Sequence, residues 1–127
     1  MQKQSPRLSL VILAALVIAA ATVIPAYAHH GWGGNDDKES TLTGTVETPV
    51  SLAGPHATMK VRVDGKVWDI TLAPPARTAA AGLKEGIIPV GATVTLVGNK
   101  NKTPGRLEMK TKRVTWEKKL FNVYPEL

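Results

Sequence analysis

The sequence predicts a small all-β domain with one short helix, closing as a five- to six-stranded Greek-key barrel. Three observations carry that expectation. Residues 57–63 alternate apolar and polar and run into an Asp-Gly turn, the pattern of a half-buried hairpin. One alanine-rich stretch after Pro75 has helical character. The remaining β-branched runs are short and bounded by glycine, proline or asparagine.

The first strand is expected at Thr41–Val46, where Gly44 marks a bulge or a close approach of backbone. Pro49 to Pro55 is expected to be a loop. In "HATMKVRVDGKVWDITL", Ala57, Met59, Val61 and Val63 alternate with Thr58, Lys60 and Arg62. Asp64-Gly65 suits a two-residue type I′ turn, since both residue types tolerate positive φ. That turn pairs Val63 with Lys66, Val61 with Trp68, Met59 with Ile70 and Ala57 with Leu72. Apart from Lys66, every apolar residue then meets an apolar partner, and a one-residue slip would undo the match.

In "APPARTAAAGL", Pro75 fits a first helical turn, the alanines favour helix and Gly82 stops it. Lys84–Gly91 reads as coil, "ATVTLVG" as a strand, and Asn99–Gly105 as a polar turn. Leu107 and Met109 share one parity whereas Val114 and Trp116 share the other, so a bulge is expected near Lys112-Arg113. "LFNVY" supplies a last short strand. Three strands, a helix and further strands follow the order of the OB-fold. An irregular β-sandwich is the alternative.

Before the domain lies an export signal. Lys3 and Arg7 form a basic start, Leu8–Ile24 is uncharged and mostly apolar, and Ala26-Tyr27-Ala28 has the small–x–small form of a cleavage site. The run is shorter than the roughly 20 residues of a membrane span, so cleavage after Ala28 is favoured over an uncleaved anchor. Residues 1–28 are then signal, 29–40 a glycine-rich leader and 41–127 the barrel domain of a periplasmic or secreted bacterial protein. The inner membrane is met only during export. Cleavage leaves 99 of the 127 residues, enough for one modest core and expected to be monomeric.

Composition narrows the chemistry. The chain has no cysteine, which excludes thiol catalysis and thiolate metal sites. Ser40 and Ser51 are the only serines after the signal and neither lies in a nucleophile elbow. "GWGG" lacks the spacing of a phosphate loop. Removing Lys3 and Arg7 from a total of +6 leaves a net charge of +4. Eight basic residues follow Asn99, a patch able to attract polyanions. Export and the scarcity of aromatic stacking surfaces argue against nucleic acid.

The histidines remain. Cleavage after Ala28 would give His29 a free amine beside its imidazole, and the two can chelate one metal ion. A second imidazole from His56 completes a three-nitrogen plane, a histidine brace, which suits Cu(II). Zn(II) is the alternative metal. His30 offers its ring and backbone nitrogen, and Asp36 or Asp37 an oxygen ligand. The amine, with a pKa of roughly 8, yields to a competing metal near neutrality. The plain alternative is that the paired histidines merely begin the chain and His56 caps a loop. Trp32 is a candidate ligand contact or a plug for an open barrel face. Arg77, where the helix begins, is a candidate anion contact.

Read together, "HHGWGG", "TLTGTV", "PHATMKV", "WDITLAPP", a short Arg-containing helix, "GATVTLVG" and "RLEMKTKRVTW" resemble a bacterial family of small exported proteins, domain of unknown function six-one-five-two. Members usually show Asn-Pro-His-Ala, whereas this chain has Gly54 before Pro55. The resemblance implies that signal, paired histidines and Pro-His element belong together. It thereby points to a metal or small-ligand site at His29, His30 and His56. Two readings follow: a copper-binding module for metal carriage or sensing, and a metal-free envelope module that binds a polyanion or a partner protein. Enzyme activity ranks third.

Overall fold

The computed structural model describes residues 32–127, and the compact unit within them is Gly34–Leu127. The signal, His29 and His30 lie outside the described residues. The elements are β1 (Ser40–Ser51), β2 (Thr58–Val63), β3 (Lys66–Thr71), α1 (Pro75–Ala80), β4 (Thr93–Lys100), β5 (Glu108–Trp116) and β6 (Lys119–Asn122).

Strand order is β3-β2-β1-β4-β5-β6, and β3 also pairs with β5. That parallel seam, Asp69↔Glu108 to Thr71↔Lys110, closes five strands into a ring and leaves β6 as a hairpin partner outside it. The fold is the expected all-β, OB-like barrel with one short helix. Each ring strand contributes to the interior: Val46, Met59, Val61, Ile70, Val94, Leu96, Met109 and Val114 are all essentially inaccessible. Burying each stabilises the fold by roughly 1.5–3 kcal/mol.

The β2–β3 hairpin has the register its alternation dictates, with Val63↔Lys66, Val61↔Trp68 and Met59↔Ile70. Its turn places Asp64 at φ 49 and Gly65 at φ 77. On β5 the pairing steps from Val97↔Arg113 to Gly98↔Thr111. Lys112 is the extra residue, and the bulge explains the change of parity before Val114. Gly44 is a close approach: a Cβ there would lie 2.2 Å from the Arg62 carbonyl oxygen.

Two expectations are corrected. Asn99 and Lys100 belong to β4 and not to the polar turn. Pro49–Ser51 is not loop; β1 runs on to Ser51, which pairs Thr58. The register shifts twice between Val46 and Ser51. A bulged strand does not need the N–H that Pro49 lacks, so proline does not end it. The helix is six residues long and is followed by Gly82 at φ 93.

The leader is tied to the barrel from Gly34 onward. Asn35 bridges Asn101, the Asp36 N–H donates to the Lys100 carbonyl at 2.8 Å, and the Lys102 N–H donates to Gly34. Two side-chain amides interlock beside them: Asn35 Nδ2 donates to the Asn99 carbonyl and Asn99 Nδ2 to the Asp36 carbonyl, both at 2.8 Å. Asn99 is buried. Such a clamp has no periodicity for a sequence to display.

Candidate functional site at His56

His56 stands in the connection between β1 and β2, and the backbone on either side of it is fixed. The Ala57 N–H donates to the Ala73 carbonyl at 2.9 Å, and the Leu72 N–H donates to the Ala57 carbonyl at 2.8 Å. Ala57 is fully buried. Upstream, the Leu52 N–H donates to the Glu85 carboxylate at 2.9 Å and the Ala53 N–H to Ser51 Oγ at 3.3 Å. Gly54 is close to the same backbone, since a Cβ there would sit 3.1 Å from the His56 carbonyl oxygen. An asparagine at this position would make the loop give by a few tenths of an ångström.

The imidazole itself is only partly buried. Among the described residues it has no hydrogen-bond or ion-pair partner, so it does not cap the loop. Nor do three imidazole or carboxylate groups gather anywhere among the described residues. A metal at His56 would therefore draw further ligands from elsewhere.

The other candidates are dispersed. Asp36 and Asp37 are exposed, with the Asp36 backbone held by β4. Trp32 is partly buried and precedes the compact unit. Arg77 forms an ion pair with Glu126 and lies over the Tyr124 ring, 5.6 Å from its centroid. Its own carboxylate partner thus occupies the guanidinium. The Glu126 carboxyl is held below its ordinary value by its own backbone N–H and by Arg77.

Part of the basic C-terminal set is likewise engaged within the fold, whereas Lys102, Lys118 and Lys119 are exposed. Lys112 and Arg113 both bind Glu39, at 3.1 and 2.9 Å, and Arg106 binds Glu108 at 3.0 Å. Lys100 lies 5.5 Å from the Trp68 ring centroid. Burial lowers the pKa of Lys110. Arg62 of β2 forks onto Glu47 of β1 with bonds of 3.0 and 2.9 Å, which lowers the carboxyl and raises the guanidinium. Paired charges of this kind present a weaker field than the same number of free cations.

Strand pairing also relates His56 to the leader. Thr58 pairs Thr71, Thr71 pairs Lys110, and Lys110 pairs Asn99, which binds Asp36. Steps of about 4.8 Å between strands bound the distance from Thr58 to the Asp36 backbone at roughly 20 Å. No local signal in the sequence discloses this route, because it crosses the β3–β5 seam.

Comparison with known proteins adds family and fold. A family described as "Family of unknown function (DUF6152)" matches residues 16–109. No curated protein matches. Among solved structures, the ZRD-deleted mutant of TiaS in complex with agmatine is 11% identical, with a TM-score of 0.51. The match covers 68% of this chain and 26% of that one. Apo TiaS, a tRNAIle2 agmatidine synthetase, is 12% identical with a TM-score of 0.48, covering 62% of this chain and 18% of that one. The chain thus spans about a quarter or less of each, and at such identity the likeness to the mutant structure is one of fold alone.

Proposed function

The chain belongs to the family of unknown function DUF6152, and we propose that it is an exported binding module for a transition metal, Cu(II) before Zn(II). The proposed ligands are the amine and imidazole of a processed N-terminal His29, with His56 as the second imidazole. His30 assists, and Asp36 is a candidate oxygen ligand. Metal carriage or sensing is the corresponding role.

The observation that carries this reading is the state of His56. Its neighbours fix the backbone while its imidazole stays accessible and unpartnered among the described residues. Both ring nitrogens are thus open to a ligand, although no carboxylate or carbonyl among the described residues orients the ring as is usual for a metal-bound histidine. Chain length is sufficient as well. His29 is seven residues before Asp36, and seven residues extend to about 24 Å. The pairing of Arg106, Lys112 and Arg113 with carboxylates reduces the field available for a polyanion, while Lys102, Lys118 and Lys119 stay exposed.

The test is a copper titration of protein beginning at His29, followed by electron paramagnetic resonance. The expected result is one tight site with nitrogen hyperfine structure, weakened at least tenfold by His29→Ala or by His56→Ala. Adding one residue before His29 is expected to remove the amine ligand and weaken binding likewise. Unchanged affinity in these three proteins overturns the proposal.

A further inference from the structure

The outer face of β1, β2 and β3 holds a cleft of about 350 Å³, within the range of small-ligand sites. Strand register builds its walls. Thr48, Lys60 and Asp69 form one rung, and Ser51, Thr58 and Thr71 the next. Residues paired across adjacent strands point to the same side of a sheet, so each rung presents its side chains together. The floor is strand backbone, because the Met59 and Ile70 side chains are buried in the core. The two register shifts in β1 bend that strand where it forms one wall.

Charge in the cleft is balanced. Lys60 and Asp69 neutralise each other at 3.1 Å, and Glu108 at the border accepts from Arg106 and Asn101. Neither an anion nor a cation gains much from entering. Hydrogen-bonding capacity, by contrast, is unspent. Among the described residues the hydroxyls of Thr48, Thr58 and Thr71 take no partner, whereas Thr43 and Thr95 on the same barrel bind each other at 3.2 Å.

We infer that this cleft binds a neutral polyhydroxylated ligand, a saccharide unit. A sugar offers adjacent hydroxyls that both donate and accept. Threonine hydroxyls do the same, and the Lys60–Asp69 pair sets donors beside acceptors. A phosphodiester or sulfated chain would instead meet the Asp69 and Glu108 carboxylates.

The experiment is a backbone amide titration by nuclear magnetic resonance, with chelator present so that copper plays no part. The probes are maltotetraose, cellotetraose and chitotetraose, with a heparin tetrasaccharide as the charged comparator. Saturable shifts at Thr48, Thr58, Lys60 and Thr71 with a neutral probe are expected. The double variant Thr58→Val/Thr71→Val is expected to bind at least tenfold more weakly, and Thr43→Val to bind as the natural chain does. Both variants keep a β-branched residue at an outward position, so the barrel is retained. No saturable shift with any neutral probe, shifts centred elsewhere, equal binding by the double variant, or tighter binding of the heparin fragment each overturn the inference. None of these outcomes depends on the copper titration.

Discussion

A side-chain carbon at Gly44 would stand 2.2 Å from the carbonyl oxygen of Arg62. The first two strands therefore cross with no room for any residue but glycine. Gly44→Ala is expected to cost on the order of 1–3 kcal/mol, because backbone rather than a flexible side chain must move. Gly65→Ala, at φ 77 with open space around it, is expected to cost only about 1 kcal/mol for its strained backbone. Urea unfolding of the two variants checks the order; a smaller loss at Gly44 contradicts the crossing.

Acid sensitivity should trace in part to Glu39. The Lys112 hydrogen bond, with Arg113 in support, holds its carboxyl below the ordinary 4.5. A carboxylate lowered on folding stabilises fully above its unfolded pKa, and that contribution fades as pH falls through the folded value. Glu39→Gln is expected to lose less stability than the natural chain between pH 6 and pH 3. The two should converge at the acid end. Thermal midpoints at several pH values, repeated in high salt to screen the exposed pairs, measure it. Parallel pH curves for the two proteins count against the pair.

Deleting Lys112 should remove the bulge and keep the barrel. The residue is the extra one between Thr111 and Arg113, which pair with neighbouring positions of β4. Without it the ladder runs Gly98↔Thr111, Val97↔Arg113, Leu96↔Val114 with no step, so Thr111 and Val114 still point inward. Cooperative urea unfolding is expected to persist in the deletion variant, and its loss would contradict Lys112 as the extra residue. Lys112→Ala should keep the fold as well, and losing its ion pair with Glu39 should cost little.

His56→Ala separates function from structure. The imidazole is partly exposed and bonds to nothing among the described residues, so stability should change by no more than about 0.5 kcal/mol. Ala57→Leu, one residue on, places a larger side chain where accessibility is zero and should cost about 1–3 kcal/mol. A large loss of stability in His56→Ala would mean that the residue serves the fold.

What could be read in the sequence was local. The hairpin register follows from alternation about one turn, and the bulge at Lys112 from a switch of parity. Both are short-range signals that later packing reinforced. Pro49 misled because proline usually ends a strand, and nothing nearby announces that β1 is bulged there. The seam between β3 and β5 joins segments almost forty residues apart, and hydrophobic pattern does not encode such a partner. His56 was legible as a residue type beside a strand. Its lack of a partner, and the rungs of hydroxyls across β1, β2 and β3, required the closed barrel.

That seam also sets the order in which the molecule can assemble. Hairpins such as β2–β3 form from neighbours, but Asp69 cannot meet Glu108 until nearly the whole chain is present. Pairings so distant in sequence are slow to form. A chain emerging from synthesis has its strands long before it has a barrel, and the cleft over β1, β2 and β3 belongs to the finished object alone. Loss of residues beyond Glu108 would therefore erase the cleft's surroundings, although the truncation lies far along the chain from Thr58.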